Sequence, residues 1–147
     1  MDLLDLAEVK TRLTEQTTAL REIGFAADFN AATQPGAVIA GPAAFIIITG
    51  EEPFPVKAAS APMTQWVNVT VSVLVAVRLA GIRGAAGLAA LVAPVGQVRA
   101  AIFAWHHPQS EEAFELAGGG VEDFDGKTGL LVYRLDFTAL TKMQETL

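Results

Sequence analysis

The sequence predicts an α+β fold in which a mainly antiparallel, four-stranded sheet packs against two helices, in the order α-β-β-α-β-β. Valines occupy every second position from Val67 to Val77, which is the period of a strand with one buried face. Two other segments carry apolar residues at helical spacing, and Asp125-Gly126 separates the last two apolar runs like a hairpin turn. With 147 residues, the chain is expected to form a single domain over 1–147.

The first predicted element is a helix from Leu3 to Ile23, with Asp2 as its N-cap and Gly24 as its C-terminal stop. The residues expected on its apolar face are Leu6, Val9, Leu13, Leu20 and Ile23, with Gln16 at the edge. A loop or irregular strand is expected over 25–42, followed by a short buried strand from Ala43 to Thr49.

The long strand, Trp66–Arg78, is the most unusual element. At about 3.3 Å per residue it spans roughly 43 Å, whereas a domain of this size has a radius of gyration of about 15 Å. We therefore expect it to bend or to run past its own core towards another molecule. Its N-terminal half has an uncharged polar face, so we expect that half to project together with the proline-rich loop 50–65. An ordinary solvent-exposed face and a floppy loop are the simpler alternatives. The residues predicted to contact another subunit or another part of a larger assembly are Trp66, Asn68, Thr70, Ser72, Pro53, Phe54 and Pro55.

A second helix is predicted over 85–105, and Pro94 is expected to kink it or to mark a restart. The residues assigned to its buried face are Leu88, Leu91, Val92, Val95, Val98, Ile102 and Trp105. Two strands close the chain, over 114–124 and 129–138, and the glycines at 118–120 indicate a bulge or sharp bend.

Composition limits the classes of function. Hydrophobic residues make up 52% of the chain and mean hydropathy is +0.40, as expected when partner subunits cover part of a surface. A net charge of −6 without a run of Lys or Arg argues against a nucleic-acid-binding patch. The chain has no cysteine, so disulfides and thiolate metal sites are excluded. An acidic N-terminus and the lack of a long apolar run predict no signal peptide and no membrane helix.

Side chains that could carry chemistry are few. His106 and His107 are adjacent, so their side chains diverge, and we expect them at a solvated helix end rather than on one metal. The acids within 122–125 lack EF-hand spacing, and the glycines at 118–120 lack phosphate-binding spacing. We therefore expect no catalytic residues, no cofactor and no metal.

The order and local sequence of these elements resemble the tail terminator proteins of long-tailed bacteriophages and prophages, in particular the Mu-like minor tail branch. The likeness lies in the N-terminal amphipathic helix, WVNVTVSVLVAVR (66–78), VRAAIFAWHHP (98–108) and FELAGGGVEDFDGKTGLLVYRLDF (114–137). These segments extend in order over nearly the whole chain.

The resemblance implies a ring, commonly a hexamer, that caps the head-proximal end of the tail tube, stops tube polymerisation and offers a surface to head-completion proteins. The implied partners are further copies of the chain, the tail tube protein and head-completion or connector proteins. DNA is only cargo that passes through the ring, and no membrane is involved. The implied location is the virion tail, assembled in the host cytoplasm. An acidic lumen, motivated by the −6 charge, would repel the DNA phosphates.

Two other classes of protein fit the same sequence. A head-closure or tube protein would also need apolar surfaces that contact partner subunits. A small dimeric α+β binding module or enzyme would instead need a deep pocket with convergent polar groups, including the histidines or Glu111.

Overall fold

The computed structural model describes residues 4–34, 39, 41–56, 63–79, 85–125 and 129–144. These residues form a five-stranded mixed sheet, in the order β1-β2-β3-β5-β4, with three helices. Only β1 and β2 pair in parallel within it. The elements are α1 (Leu6–Gln16), β1 (Glu22–Phe25), α2 (Ala26–Ala32), β2 (Ala43–Pro53), β3 (Thr64–Arg78), α3 (Ala85–Ile102), β4 (Glu115–Asp125) and β5 (Leu130–Gln144).

The predicted four-stranded, two-helix fold is wrong, because the segment before β2 contains a strand and a helix of its own. The first helix ends at Gln16, and both the backbone N–H and the hydroxyl of Thr17 bond to the Leu13 carbonyl. The chain then forms β1, in which Gly24 pairs with Phe45 instead of stopping a helix. The order is therefore α-β-α-β-β-α-β-β.

The N-terminal cap of α1 also differs from the prediction. Asp5 is the cap, and its Oδ1 accepts a 2.9 Å hydrogen bond from the Ala7 N–H. Such a bond satisfies one of the free donors in the first turn of a helix. The predicted cap, Asp2, lies outside the described residues.

The long strand is confirmed, and it is paired within the subunit. β3 pairs with β5 from Thr64↔Gln144 to Arg78↔Leu130, and both strands contain 15 residues. On its other side it pairs with β2 from Val67 to Ala76. β3 is therefore a central strand hydrogen-bonded on both sides, and a partner strand of equal length accounts for its length.

The sheet has two faces, which we call face A and face B. Face A carries the alternate valines of β3, from Val67 to Val77, and these are buried beneath α1 and α3. The helix residues buried with them are Val9 and Leu13 of α1 and Leu91, Val95, Val98 and Ile102 of α3. This layer is the main core, because helix and sheet bury their apolar faces against each other.

The helix α3 is continuous through Pro94, so the predicted restart is absent. It ends at Ile102 rather than at Trp105. Ala104 adopts φ +64°, and its N–H bonds to the Phe114 carbonyl at 2.9 Å, which turns the chain towards β4.

Among the described residues, a helix covers only the half of face B nearer the end of β3. A smaller core of Phe45, Leu74, Ala76 and Val132 lies beneath Phe29 and Ala32 of α2 and Ile39. The rings of Phe29 and Phe45 meet edge-on with centroids 5.4 Å apart. The half of face B nearer the start of β3 has no helix over it in the part of the chain that the structure describes.

Candidate assembly surface

A row of polar side chains marks the border between the covered and uncovered halves of face B. Ser72 is only 1% exposed. Its Oγ lies 2.7 Å from the Thr49 hydroxyl and donates a 2.5 Å hydrogen bond to Asp136 Oδ1. Arg134 binds the other oxygen of Asp136 at 3.1 Å and reaches Glu122 at 2.7 Å. The predicted contact residue Ser72 therefore already has both its bonding partners within the subunit.

Beyond this row, the uncovered half of face B holds a shallow groove of about 230 Å³. Its lining residues are Phe54, Asn68, Glu112, Ala113, Glu115, Thr138 and Leu140. β3, β5, β4 and the loop before β4 each contribute to it, because Asn68 pairs with Leu140 and Glu115 with Thr138. We call this feature the face B groove.

Phe54 forms the apolar end of the groove and is held there by backbone bonds. Its N–H donates to the Trp66 carbonyl at 2.8 Å, and its own carbonyl accepts from Gln65 Nε2 at 2.9 Å. The side chain is nevertheless 46% exposed. A positioned, half-exposed aromatic ring is typical of a contact residue at a protein interface.

Trp66 lies at the end of the same face and is 40% exposed. The Lys142 ammonium sits 5.9 Å from the centroid of its ring and 3.8 Å from Glu111 Oε1. Thr70 follows Asn68 on face B, and both are half-buried. The structure therefore places Trp66, Asn68, Thr70 and Phe54 along one uncovered surface.

Two predicted proline contacts lie at the tip of β2. Pro53 is the last residue of β2 and pairs with Val67, and Pro55 follows Phe54; both are exposed. The tip of the loop, residues 57–62, lies outside the described residues, so the predicted projection of that segment stays a prediction. As contacts with another molecule, all seven predicted residues stay predictions as well.

The groove is acidic. Glu112 and Glu115 line it, and neither carboxylate has an ion pair with any residue in the described ranges. Glu52, also exposed, is the register partner of Asn68 on β2. A cationic or hydrogen-bond-donating partner suits this surface better than an anionic one.

A second uncovered surface lies on α3 and was missed from the sequence. Leu88 and Val92, which were assigned to the buried face, are 60% and 71% exposed, and Phe103 just beyond the helix is 56% exposed. Alanine, glycine and valine occur all around this helix, so the hydrophobic period does not identify which side is buried. The one sequence feature that indicates an exposed apolar surface is the high apolar content of the chain.

The histidines have structural roles. His107 is fully buried, which corrects the expected solvated position. Its Nε2 lies 2.8 Å from the Asp5 carbonyl, and its Nδ1 accepts the Gln109 N–H at 3.0 Å. This ring therefore joins the start of α1 to the loop after α3. His106 is exposed, and its Nε2 lies 2.6 Å from the Ser110 carbonyl.

No group of three or more His, Asp or Glu side chains in the described ranges is placed to hold a metal ion. None of the helices formed by those residues is long and apolar enough to span a membrane.

Comparison with known proteins identifies the family. No curated protein matches the chain. The family model described as phage tail terminator protein matches residues 1–146, which is nearly the whole length, and it confirms the resemblance seen in the sequence. Members of this family are structural components of the virion tail. The chain belongs to the phage tail terminator family.

Proposed function

We propose that copies of this chain assemble into a hexameric ring that caps the head-proximal end of the tail tube. The ring stops tube polymerisation and offers its other side to head-completion proteins. Family membership supports the tail role. The observation that carries the ring is that the described residues leave surfaces uncovered on both sides of the sheet, the face B groove on one side and the exposed side of α3 on the other.

Two different uncovered surfaces favour a ring over a symmetric dimer. The face B groove lies on one side of the sheet, and the exposed side of α3 lies on the other, because α3 packs on face A. A contact between two different surfaces is heterologous, so it repeats from copy to copy and closes into a ring when the rotation allows it. A symmetric dimer would use one surface twice and leave the other exposed.

The charge of the chain suits a channel through which DNA passes. The net charge is −6, because 16 Asp and Glu residues outnumber 10 Lys and Arg residues. An acidic lumen would repel the phosphates of passing DNA and keep it from adhering. A ring whose lumen is lined by Lys and Arg would contradict this part of the proposal.

An enzyme or small-ligand module has less support. The face B groove is open and about 230 Å³ in volume, below the range of roughly 300–1,000 Å³ that is common for ligand pockets. Neither histidine lines it, and His107 is buried in packing. A head-closure or tube protein fits the same surfaces, and the experiment below separates these roles.

The test is to add purified protein to a polymerising tail tube protein and to measure tube length by electron microscopy. We expect elongation to stop and a ring to be visible at one end of each tube. Thr70→Glu, which puts a charge on the uncovered half of face B and leaves the face A core unchanged, should abolish the arrest in the same assay. Tubes that keep growing at the same rate with saturating wild-type protein would contradict the terminator role. Incorporation along the tube would indicate a tube protein instead.

A further inference from the structure

The exposed side of α3 carries an apolar stripe that is interrupted by one arginine. The stripe consists of Leu88, Val92, Gly96, Arg99 and Phe103, and all five are exposed. Their spacing of four, four, three and four residues places them along one side of the helix. We call it the outer α3 face. Exposed apolar residues grouped in this way mark an interaction site more often than exposed residues scattered singly.

Arg99 is the one charged residue between 85 and 105. It is exposed and has no ion pair with any residue in the ranges that the structure describes. Arg99 lies in the last turn of α3, where the helix dipole favours a cation. The dipole does not explain why the other residues of the outer α3 face are all uncharged. A carboxylate supplied by another molecule would complete this surface.

The face B groove has the complementary properties. Phe54 and Leu140 provide apolar surface, and Glu112 and Glu115 are carboxylates without an ion pair among the described residues. No helix formed by the described residues covers this half of face B, so another molecule could supply the missing layer. The outer α3 face is an uncovered helix that has apolar side chains and one cation.

We propose that the outer α3 face of one subunit covers the face B groove of the next copy, with Arg99 placed between Glu112 and Glu115. The inference rests on the proposed ring and names the two surfaces that form it. Because α3 and the groove lie on opposite sides of one sheet, a subunit cannot make this contact with itself. The contact joins each copy to a different neighbour on each side.

Exchanging the charges tests the pairing, and self-association is measured by sedimentation of the purified protein over a range of concentrations. The single variant Arg99→Glu should weaken self-association by about tenfold or more. The double variant with Glu112→Arg and Glu115→Arg should weaken it by a similar factor. The chain carrying all three changes should regain most of the loss. Lys10→Glu and Glu15→Arg, exposed charge reversals on α1, serve as controls and should have little effect. Equal weakening by the controls, or no recovery in the triple variant, would overturn the pairing.

Cross-linking gives a readout that does not depend on self-association of the free protein. The chain has no cysteine, so Arg99→Cys and Glu115→Cys introduce unique thiols. In rings assembled on tail tubes, a short bismaleimide should link a mixture of the two single variants into dimers. The chain carrying both cysteines should give a ladder that ends at the ring size. Efficient linking of either single variant to itself, or no linking of the mixture, would overturn the contact.

The two proposals fail in different ways. If wild-type protein arrests tube growth but residues 99 and 115 do not cross-link, the ring forms through other surfaces and this contact is wrong. If the ladder forms when the protein is mixed with tube subunits but the tubes keep growing, the contact is supported and the terminator role is wrong.

Discussion

Replacing Ser72 with alanine should destabilise the fold by about 2 kcal/mol. The hydroxyl is 1% exposed and donates a 2.5 Å bond to Asp136 Oδ1. Loss of a hydrogen bond to a charged group costs about 1.5–3 kcal/mol. The low half of that range applies, because Asp136 keeps its bond to Arg134 and its side chain is 20% exposed. Loss of the bond to Thr49 adds little, since Thr49 is exposed and water can replace it.

Urea unfolding of Ser72→Ala should show this loss as a lower midpoint with an unchanged slope. For a chain of this size, the melting temperature should fall by about 4–8 °C. In the Asp136→Ala background the same change should cost much less, because its acceptor is already gone. A loss below about 0.5 kcal/mol in the wild-type background, or an equal loss in both backgrounds, would refute the proposed role of this hydroxyl.

Three further predictions concern the turn, the buried histidine and the assembly surface. Gly129→Ala should lower the free energy of unfolding by about 2–3 kcal/mol, because Gly129 has φ +73° and a Cβ would lie 2.6 Å from the Leu79 carbonyl oxygen. The control Gly50→Ala should change the free energy of unfolding by about 0.5 kcal/mol or less, because a Cβ there meets nothing within 4 Å. Equal losses for the two variants in urea unfolding would contradict this account. His107→Ala should cost about 3 kcal/mol by the same measurement, since it leaves a cavity and unpaired backbone groups; a loss under 1 kcal/mol would count against its packing role. Thr70→Glu should abolish tube arrest while its urea midpoint stays close to wild type, and the reverse pattern would place Thr70 in folding.

The long central strand and its neighbours could be predicted from the sequence, because alternation in β3 directly reports a sheet with one buried face. The valines from Val67 to Val77 are buried together, as the period of two requires. Val9 and Leu13 of α1 are likewise buried on the predicted face. In the second half of β3, Leu74 and Ala76 are also buried on face B, as the apolar residues on both faces of that half indicate.

β1 and α2 could not be predicted because they are short and depend on distant partners. β1 contains four residues and is defined by parallel pairing with β2, a contact that leaves no local period. α2 contains seven residues and none of them is buried. Its start is fixed by Asp28, whose Oδ2 accepts the Phe25 N–H at 2.8 Å. One such capping residue is a weaker sequence pattern than the helical spacing that predicted a helix over 3–23.

The predicted contact residues stay predictions, but their places in the fold can be compared with the sequence pattern. The uncharged polar face of β3 indicated Asn68 and Thr70, and the structure leaves them on the uncovered half of face B. The outer α3 face was not predicted, because Leu88 and Val92 have the same side-chain chemistry as the buried Leu91 and Val95. Which side of such a helix is exposed depends on tertiary packing, and a sequence period alone does not report it.

The most direct test of the central claim is the length of tail tubes polymerised in the presence of the wild-type protein. The account predicts that tubes stop elongating, that each carries a ring at one end, and that added tube subunits do not restart growth there. Tubes that reach the same lengths with and without saturating protein would contradict it.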